Sequence, residues 1–297
     1  MSADDDKYPG ESGRRRFVKG VVGGAALAGV GATGSAAINS VTTSPGRGGG
    51  ATEAMAIENT AGPAPRGMPQ IPVEIQGDGT IKGVWPEVST QEVGGRTVNV
   101  AEMELGGKTY SSEWFQYCGV ETYEGIQPQY ESDNVFYVGG SPGFAWQEEL
   151  SDGDALNISM FDDYESWGNG VGVSGLGKPG TANWRSQDTE DTIPVNVLRS
   201  PVIEELAANG EAQAPDQSEP YTVTDDVQTW LQASTSQGVM AWLNKCTHFC
   251  CVPAFKAEGG VKFNAANEVY CPCHQSVYEP FSIVSTLFTA RPRPDDA

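Results

Sequence analysis

The sequence predicts an all-β protein carrying two short helices. Three observations lead there. From Ile71 onward, "RTVNVAEMEL" alternates at Val98 and Val100, the period of a half-buried strand. "NVFYVGG" and "ALNISMF" are short apolar runs between turn signals such as Ser-Pro-Gly and Asp-Gly, as expected of strands joined by tight connections. Only two stretches read as helices, each opened by a capping residue.

The chain has 297 residues, with 39 acidic against 18 basic side chains and a net charge of −21. A nucleic-acid binder needs a basic footprint, so no nucleic-acid partner is expected. The acids are scattered ("ADDD", "EEL", "DDYE", "TEDT", "TDD", "PDD") rather than gathered in one block. Scattered carboxylates keep a protein soluble in high salt, and the balance reads as that of a halophilic archaeon. A patch for a basic partner is the other reading.

The first element is an address. Residues 1–19 form a basic n-region ending in "RRRFVK", followed by 20–38, "GVVGGAALAGVGATGSAAI", which carries no charge. A basic start and a weakly apolar run make a secretion signal. Arg14 and Arg15, with Phe17 and Lys19 behind them, resemble the twin-arginine signal. That pathway exports folded proteins, which suits a cofactor inserted before export. "SAA" at 35–37 offers a cleavage site. Uncleaved, the nineteen-residue run is just long enough to span a bilayer. The basic cluster would then stay in the cytoplasm and place the head on the extracytoplasmic side of the cytoplasmic membrane. Residues 39–70 are rich in Gly, Pro and Ala without period, which reads as a flexible linker.

The middle yields the two helices. Ser200 caps "PVIEELAAN", with Pro201 at the first helical position and Gly210 as the stop. Thr224-Asp225-Asp226 opens "TDDVQTWLQAS", with Val227, Trp230 and Leu231 on one face. Gly168–Gly180 is Gly-rich but lacks the G-x-x-x-x-G-K-[ST] phosphate loop, since Pro179 follows Lys178.

Near the end stand "CTHFCC", Cys246–Cys251, and "CPCHQS", Cys271–Ser276, which hold both histidines of the chain. Cys246, His248, Cys271 and His274 are soft or borderline ligands at metal-binding spacing. One reading is a structural Cys₂His₂ zinc site in a binding module, which leaves Cys251 and Cys273 without a role. Another is a disulfide framework, which does not call for histidines.

The boxes resemble those of the Rieske iron–sulfur proteins, C-T-H-x-G-C and C-P-C-H-x-S. The resemblance covers about 238–280 and the order of signal, linker and head. It implies a [2Fe–2S] cluster with Cys246 and Cys271 on one iron and His248 and His274 on the other. It implies a Cys251–Cys273 disulfide, and hydrogen bonds to sulfur from Ser276 and Tyr278. It implies a Rieske fold over 71–297: an antiparallel β base with an inserted cluster-binding subdomain, preceded by the signal or anchor helix. The cysteine pair points to the respiratory cytochrome bc type. A ring-hydroxylating oxygenase needs further histidines for a second iron, and haem needs C-x-x-C-H; neither is present.

Two departures stand out. The family's glycine is Cys250, and a turn glycine supplies the positive φ that Cys tolerates poorly. Either this loop does not need that conformation or it differs locally. Cys250 also competes with Cys251 for Cys273. Cys118 reads as a small buried hydrophobe, with a Cys118–Cys250 bond as the remote alternative. The Gly-Pro loop that follows Tyr278 in the family is reduced to "EPF" and the terminal "RPRP".

The function so implied is one-electron transfer, in an electron-transfer subunit of a quinol-oxidising oxidoreductase complex. Electrons would come from quinol in a cytochrome b-type membrane subunit. They would pass to a soluble c-type cytochrome or a blue-copper protein. An alternative keeps the cluster in the relay subunit of an exported molybdenum oxidoreductase such as arsenite oxidase.

Overall fold

A computed structural model describes residues 50–93, 96–139 and 143–293. The basic n-region with Arg14 and Arg15, and the run 20–38, lie outside the described residues. Among those described, no helix is long and apolar enough to cross a membrane.

The chain is mostly β. Its strands are β1 (Gly50–Ala61), β2 (Met68–Ile71), β3 (Val73–Ile75), β4 (Ile81–Gly83), β5 (Val88–Val93), β6 (Arg96–Leu105), β7 (Lys108–Ser111) and β8 (Phe136–Tyr137). They continue as β9 (Lys178–Trp184), β10 (Ile193–Arg199), β11 (Glu211–Ala212), β12 (Tyr221–Thr222), β13 (Val239–Leu243), β14 (Ala254–Phe255), β15 (Val269–Tyr270) and β16 (Val277–Ala290). Nine of them form one sheet in the order β14-β15-β16-β1-β2-β13-β10-β9-β8. Its strand pairs are all antiparallel. A β5-β6-β7 meander stands apart.

The expected linker over 39–70 is corrected from Gly50 onward. "GATEAMAIENTA" is β1, and it pairs with β16 from Gly50↔Ala290 to Ala61↔Val277. Ala54, Met55, Ala56 and Ile57 are all buried, because neighbouring strands and covering layers enclose this part of β1. Its Ala, Gly and Glu composition looks like loop; only the distant partner β16 makes it a strand. The register slips between Ile57↔Ile283 and Glu58↔Glu279. Pro280, which has no N–H to donate, falls at that irregularity, where a strand tolerates proline.

Both helices form where their caps place them. In α1 (Pro201–Asn209) Ser200 Oγ accepts from Val202 N, and Gly210 ends the helix at φ 74. In α2 (Asp225–Ser234) Thr224 caps Val227 N, and Trp230 and Leu231 are buried. Trp230 Nε1 donates to Gln70 Oε1 at 2.6 Å, docking α2 on β2. The run "ALNISMF" is not a strand. Asn157 caps a 3₁₀ turn, Ile158–Phe161, by accepting from Ser159 N. The side chain there satisfies the backbone more locally than a ladder would.

The core is aromatic. Trp114, Trp184, Trp230 and Trp242 are fully buried. Trp184 takes Trp85 and Phe115 edge-on at 5.6 and 5.5 Å. Arg185, also buried, donates to Gly125 O, Asn134 Oδ1 and Tyr130 O at 2.6–2.7 Å and lies 3.8 Å over Trp85. It pins the irregular middle region to the end of β9.

Candidate metal centre

The two boxes are built on one plan. In the first loop Cys246 N donates to Cys251 O and Cys250 N donates to Cys246 O. In the second, Cys271 N donates to Ser276 O and Gln275 N donates to Cys271 O. Each cysteine thus closes a loop with residues four and five positions on. Those fourth positions, Cys250 and Gln275, sit at φ 64 and 65. The left-handed turn at Cys250 is therefore kept, contrary to both expectations for it, although neither loop uses glycine there.

Their supports differ. The second loop joins β15 to β16, which are paired neighbours. The first leads from β13 to β14, which are far apart in the sheet order.

The loops bring the candidate ligands together in pairs, cysteine beside cysteine and histidine beside histidine. Cys246 and Cys271 are reduced and buried, at 2% and 1% exposure. The His248 and His274 rings lie 4.8 Å apart, edge to face; His274 is exposed and His248 half-buried. Thiols lie inside and imidazoles outside. The Cys271 thiol shares a hydrogen bond with Cys246 and pulls the latter's pKa down to about 5. The same bond, with burial, pushes Cys271 far up. Two buried cysteine sulfurs this close together are a donor set that a soft cation could take up. His248 Nδ1 is buried and has no hydrogen-bond partner. A buried imidazole nitrogen without a partner is a free donor atom, and together with two reduced, buried cysteines it makes a donor set compatible with the implied centre.

Cys251 is bonded to Cys273, with Cα atoms 6.6 Å apart. This bond ties the two loops together, and Cys271 Sγ lies within 4.8 Å of its sulfurs. Tyr278, fully buried on β16, donates to Cys246 Sγ at 3.1 Å and accepts from Thr247 N at 3.1 Å. Ser276 Oγ, also buried, accepts from Ala64 N at 3.2 Å and hydrogen-bonds the Cys246 sulfur.

Cys118 corrects the sequence reading. It is not a lone buried hydrophobe but is bonded to Cys250, 132 residues away, with Cα atoms 5.2 Å apart. Cysteine parity was the available signal. Two ligands and one tie leave Cys118 and Cys250 as a pair.

Composition concealed a third wall. The connector 62–67, between β1 and β2, lies against both loops. A side chain at Gly62 would meet Gln275 O at 2.4 Å, so glycine is required for that approach. Arg66 O accepts from Thr247 Oγ1 at 2.6 Å. Phe249 and Val252 are 65% and 54% exposed, and the Phe249 ring lies 4.3 Å from His248 and 5.2 Å from His274. An apolar rim thus flanks the imidazole edge.

No family model, no curated protein and no solved structure matches this chain. What can be said of the centre therefore comes from its own residues.

Proposed function

We propose that this chain is a Rieske-type electron-transfer protein. One observation carries the reading: two reduced, buried cysteines and two neighbouring imidazoles, one with a buried orphaned nitrogen, stand on two loops tied by a disulfide. Cys246 and Cys271 would hold one iron of a [2Fe–2S] cluster, and His248 and His274 the other. Bound there, the cluster supplies a centre that takes up and releases one electron.

The chain's own residues do the rest. Burial of the thiols excludes water from the inner side. Tyr278 and Ser276 place hydroxyls at the Cys246 sulfur, where a donor favours the more negative, reduced state. The exposed imidazole edge with Phe249 and Val252 offers a short, partly apolar path to a partner. That partner is a quinol site in a cytochrome b-type membrane subunit. The acceptor is a soluble c-type cytochrome or a blue-copper protein. Residues 20–38 would anchor the head outside the cytoplasmic membrane as part of a respiratory chain.

The test is the visible and electron paramagnetic resonance spectrum of the purified protein, with metal analysis. Two irons and two sulfides per chain, with absorbance lost on reduction, are expected. A colourless protein with one zinc per chain overturns the reading.

A further inference from the structure

The irregular middle region reaches the first loop with three fastenings. Tyr117 hydroxyl donates to Lys245 O at 2.9 Å, one residue before Cys246. Lys245 Nζ donates to Tyr123 hydroxyl at 2.7 Å. Cys118 is bonded to Cys250, and its sulfur lies 3.5 Å from Cys246 O. All three act on Lys245–Cys250, the run that carries Cys246 and His248.

The first loop needs such holding more than the second does. The β15–β16 ladder closes the base of the second loop, whereas no ladder joins β13 to β14 across the base of the first. Its left-handed residue is Cys250, and the other half-cystine, Cys118, is left-handed too, at φ 57. Side chains resist this region, so a loop built on them relaxes unless its surroundings over-determine it. A covalent bond between two such residues removes the relaxed alternatives for both.

We propose that segment 117–123 is a second clamp of the centre, with Tyr117 and the Cys118–Cys250 bond as its positioning residues. The clamp holds Cys246 and His248 in register with Cys271 and His274, and keeps Cys246 Sγ under the Tyr278 hydroxyl. It rests on the ligand reading above. Hydrogen bonding to sulfur tunes an iron–sulfur potential, so a loosened first loop lowers the potential as well as the stability.

The experiment uses the full-length, cluster-bearing protein. Peptide mapping without reductant should find 118 linked to 250 beside 251 linked to 273; free thiols at 118 and 250 overturn the clamp. Three variants follow: Cys118→Ala/Cys250→Ala, Cys118→Ala/Cys250→Gly, and Tyr117→Phe. The Ala pair should lose its visible absorbance several-fold faster on warming and titrate at a lower midpoint potential. The Gly pair should recover part of both, because glycine adopts the left-handed turn freely. Tyr117→Phe should lower the potential with little change in melting temperature. A bond that merely staples the fold predicts equal melting losses in the two pairs and unchanged potentials and resonance g values in all three; that result overturns the proposal. A colourless wild-type protein overturns the ligand reading and the clamp together. A coloured one with unmoved potentials overturns the clamp alone.

Discussion

Tyr278 hydroxyl stands 3.1 Å from Cys246 Sγ and 3.1 Å from Thr247 N. The amide donates to it, which fixes the oxygen and leaves its proton for the sulfur. The phenol is fully buried, and burial first, then the sulfur, holds its pKa high. It therefore remains a donor throughout the working pH range.

On the proposed cluster reading, Tyr278→Phe should keep the cluster and lower its midpoint potential. A bond about 1 kcal/mol stronger to the reduced centre corresponds to a shift of roughly 40 mV for one electron. Ser276→Ala should act in the same direction. Protein-film voltammetry reads both shifts; an unmoved or raised potential contradicts the role.

Cys251→Ala with Cys273→Ala should cost about 3 kcal/mol, the value expected for a loop of this length. The tie spans 22 residues and joins two loops that otherwise meet only through neighbouring side chains. Thermal melts followed together with visible absorbance should show the colour lost before the β-sheet signal. Coincident loss of both contradicts a local clamp.

Glu279 gives a pH dependence whose sign is fixed by its burial. Burial, with the Glu268 and Asp216 carboxylates nearby, raises its pKa to about 8, against the lowering pull of Phe281 N and the Tyr221 hydroxyl, which donate to its carboxylate. A carboxyl raised in the folded state binds more protons folded than unfolded. Its contribution is complete below the unfolded value of about 4.3 and is lost as pH rises through about 8. The loss is at most about 5 kcal/mol, at about 1.4 kcal/mol per unit between about 4.3 and about 8. Glu279→Gln should flatten that fall, making the variant the more stable protein above pH 8. Parallel stability curves for the two proteins contradict the assignment.

Ser200→Ala tests the fold alone. Its hydroxyl accepts from Val202 N at 3.1 Å and donates to Leu176 O at 2.6 Å, fully buried. Loss of a cap and of a buried donor should cost about 2 kcal/mol, read from urea denaturation. A change within a few tenths of a kcal/mol contradicts the cap.

Replacing Arg14 and Arg15 with Lys should leave folded protein in the cytoplasm, because Lys lacks the planar guanidinium fork. Fractionation and blotting decide it; unchanged export contradicts the signal.

What was legible in the sequence was local. Ser200, Pro201 and Gly210 bound one helix, and the caps act over two to four residues. The boxes were legible because ligand spacing is fixed by short loops. What escaped was made by distance. β1 takes its conformation from β16, more than two hundred residues away. Cys118 finds Cys250 across 132 residues. The connector 62–67 looks like a linker because closeness to Gln275 and Ser276 demands small residues and prolines, as flexible chain also does. Asn157 misled in the opposite way. Its neighbours are as apolar as a strand, but its side chain caps a turn.

The ladder from Gly50↔Ala290 to Ala61↔Val277 makes the two ends of β1 mechanically different points. Ala61 finishes beside the second loop, while Gly50 lies at the far end of a twelve-residue strand, roughly 35–40 Å away. Gly50 is thus the end of β1 remote from the second loop. Were the chain held just before Gly50, β1 would act as a lever arm with its pivot at Gly50 and its tip at Ala61, beside the second loop. A rotation of about one radian at the pivot sweeps the tip through an arc of that same length, on the order of a membrane's thickness. A force along the tether would load the β1–β16 ladder in shear, with many hydrogen bonds sharing it, before it reached either cluster loop.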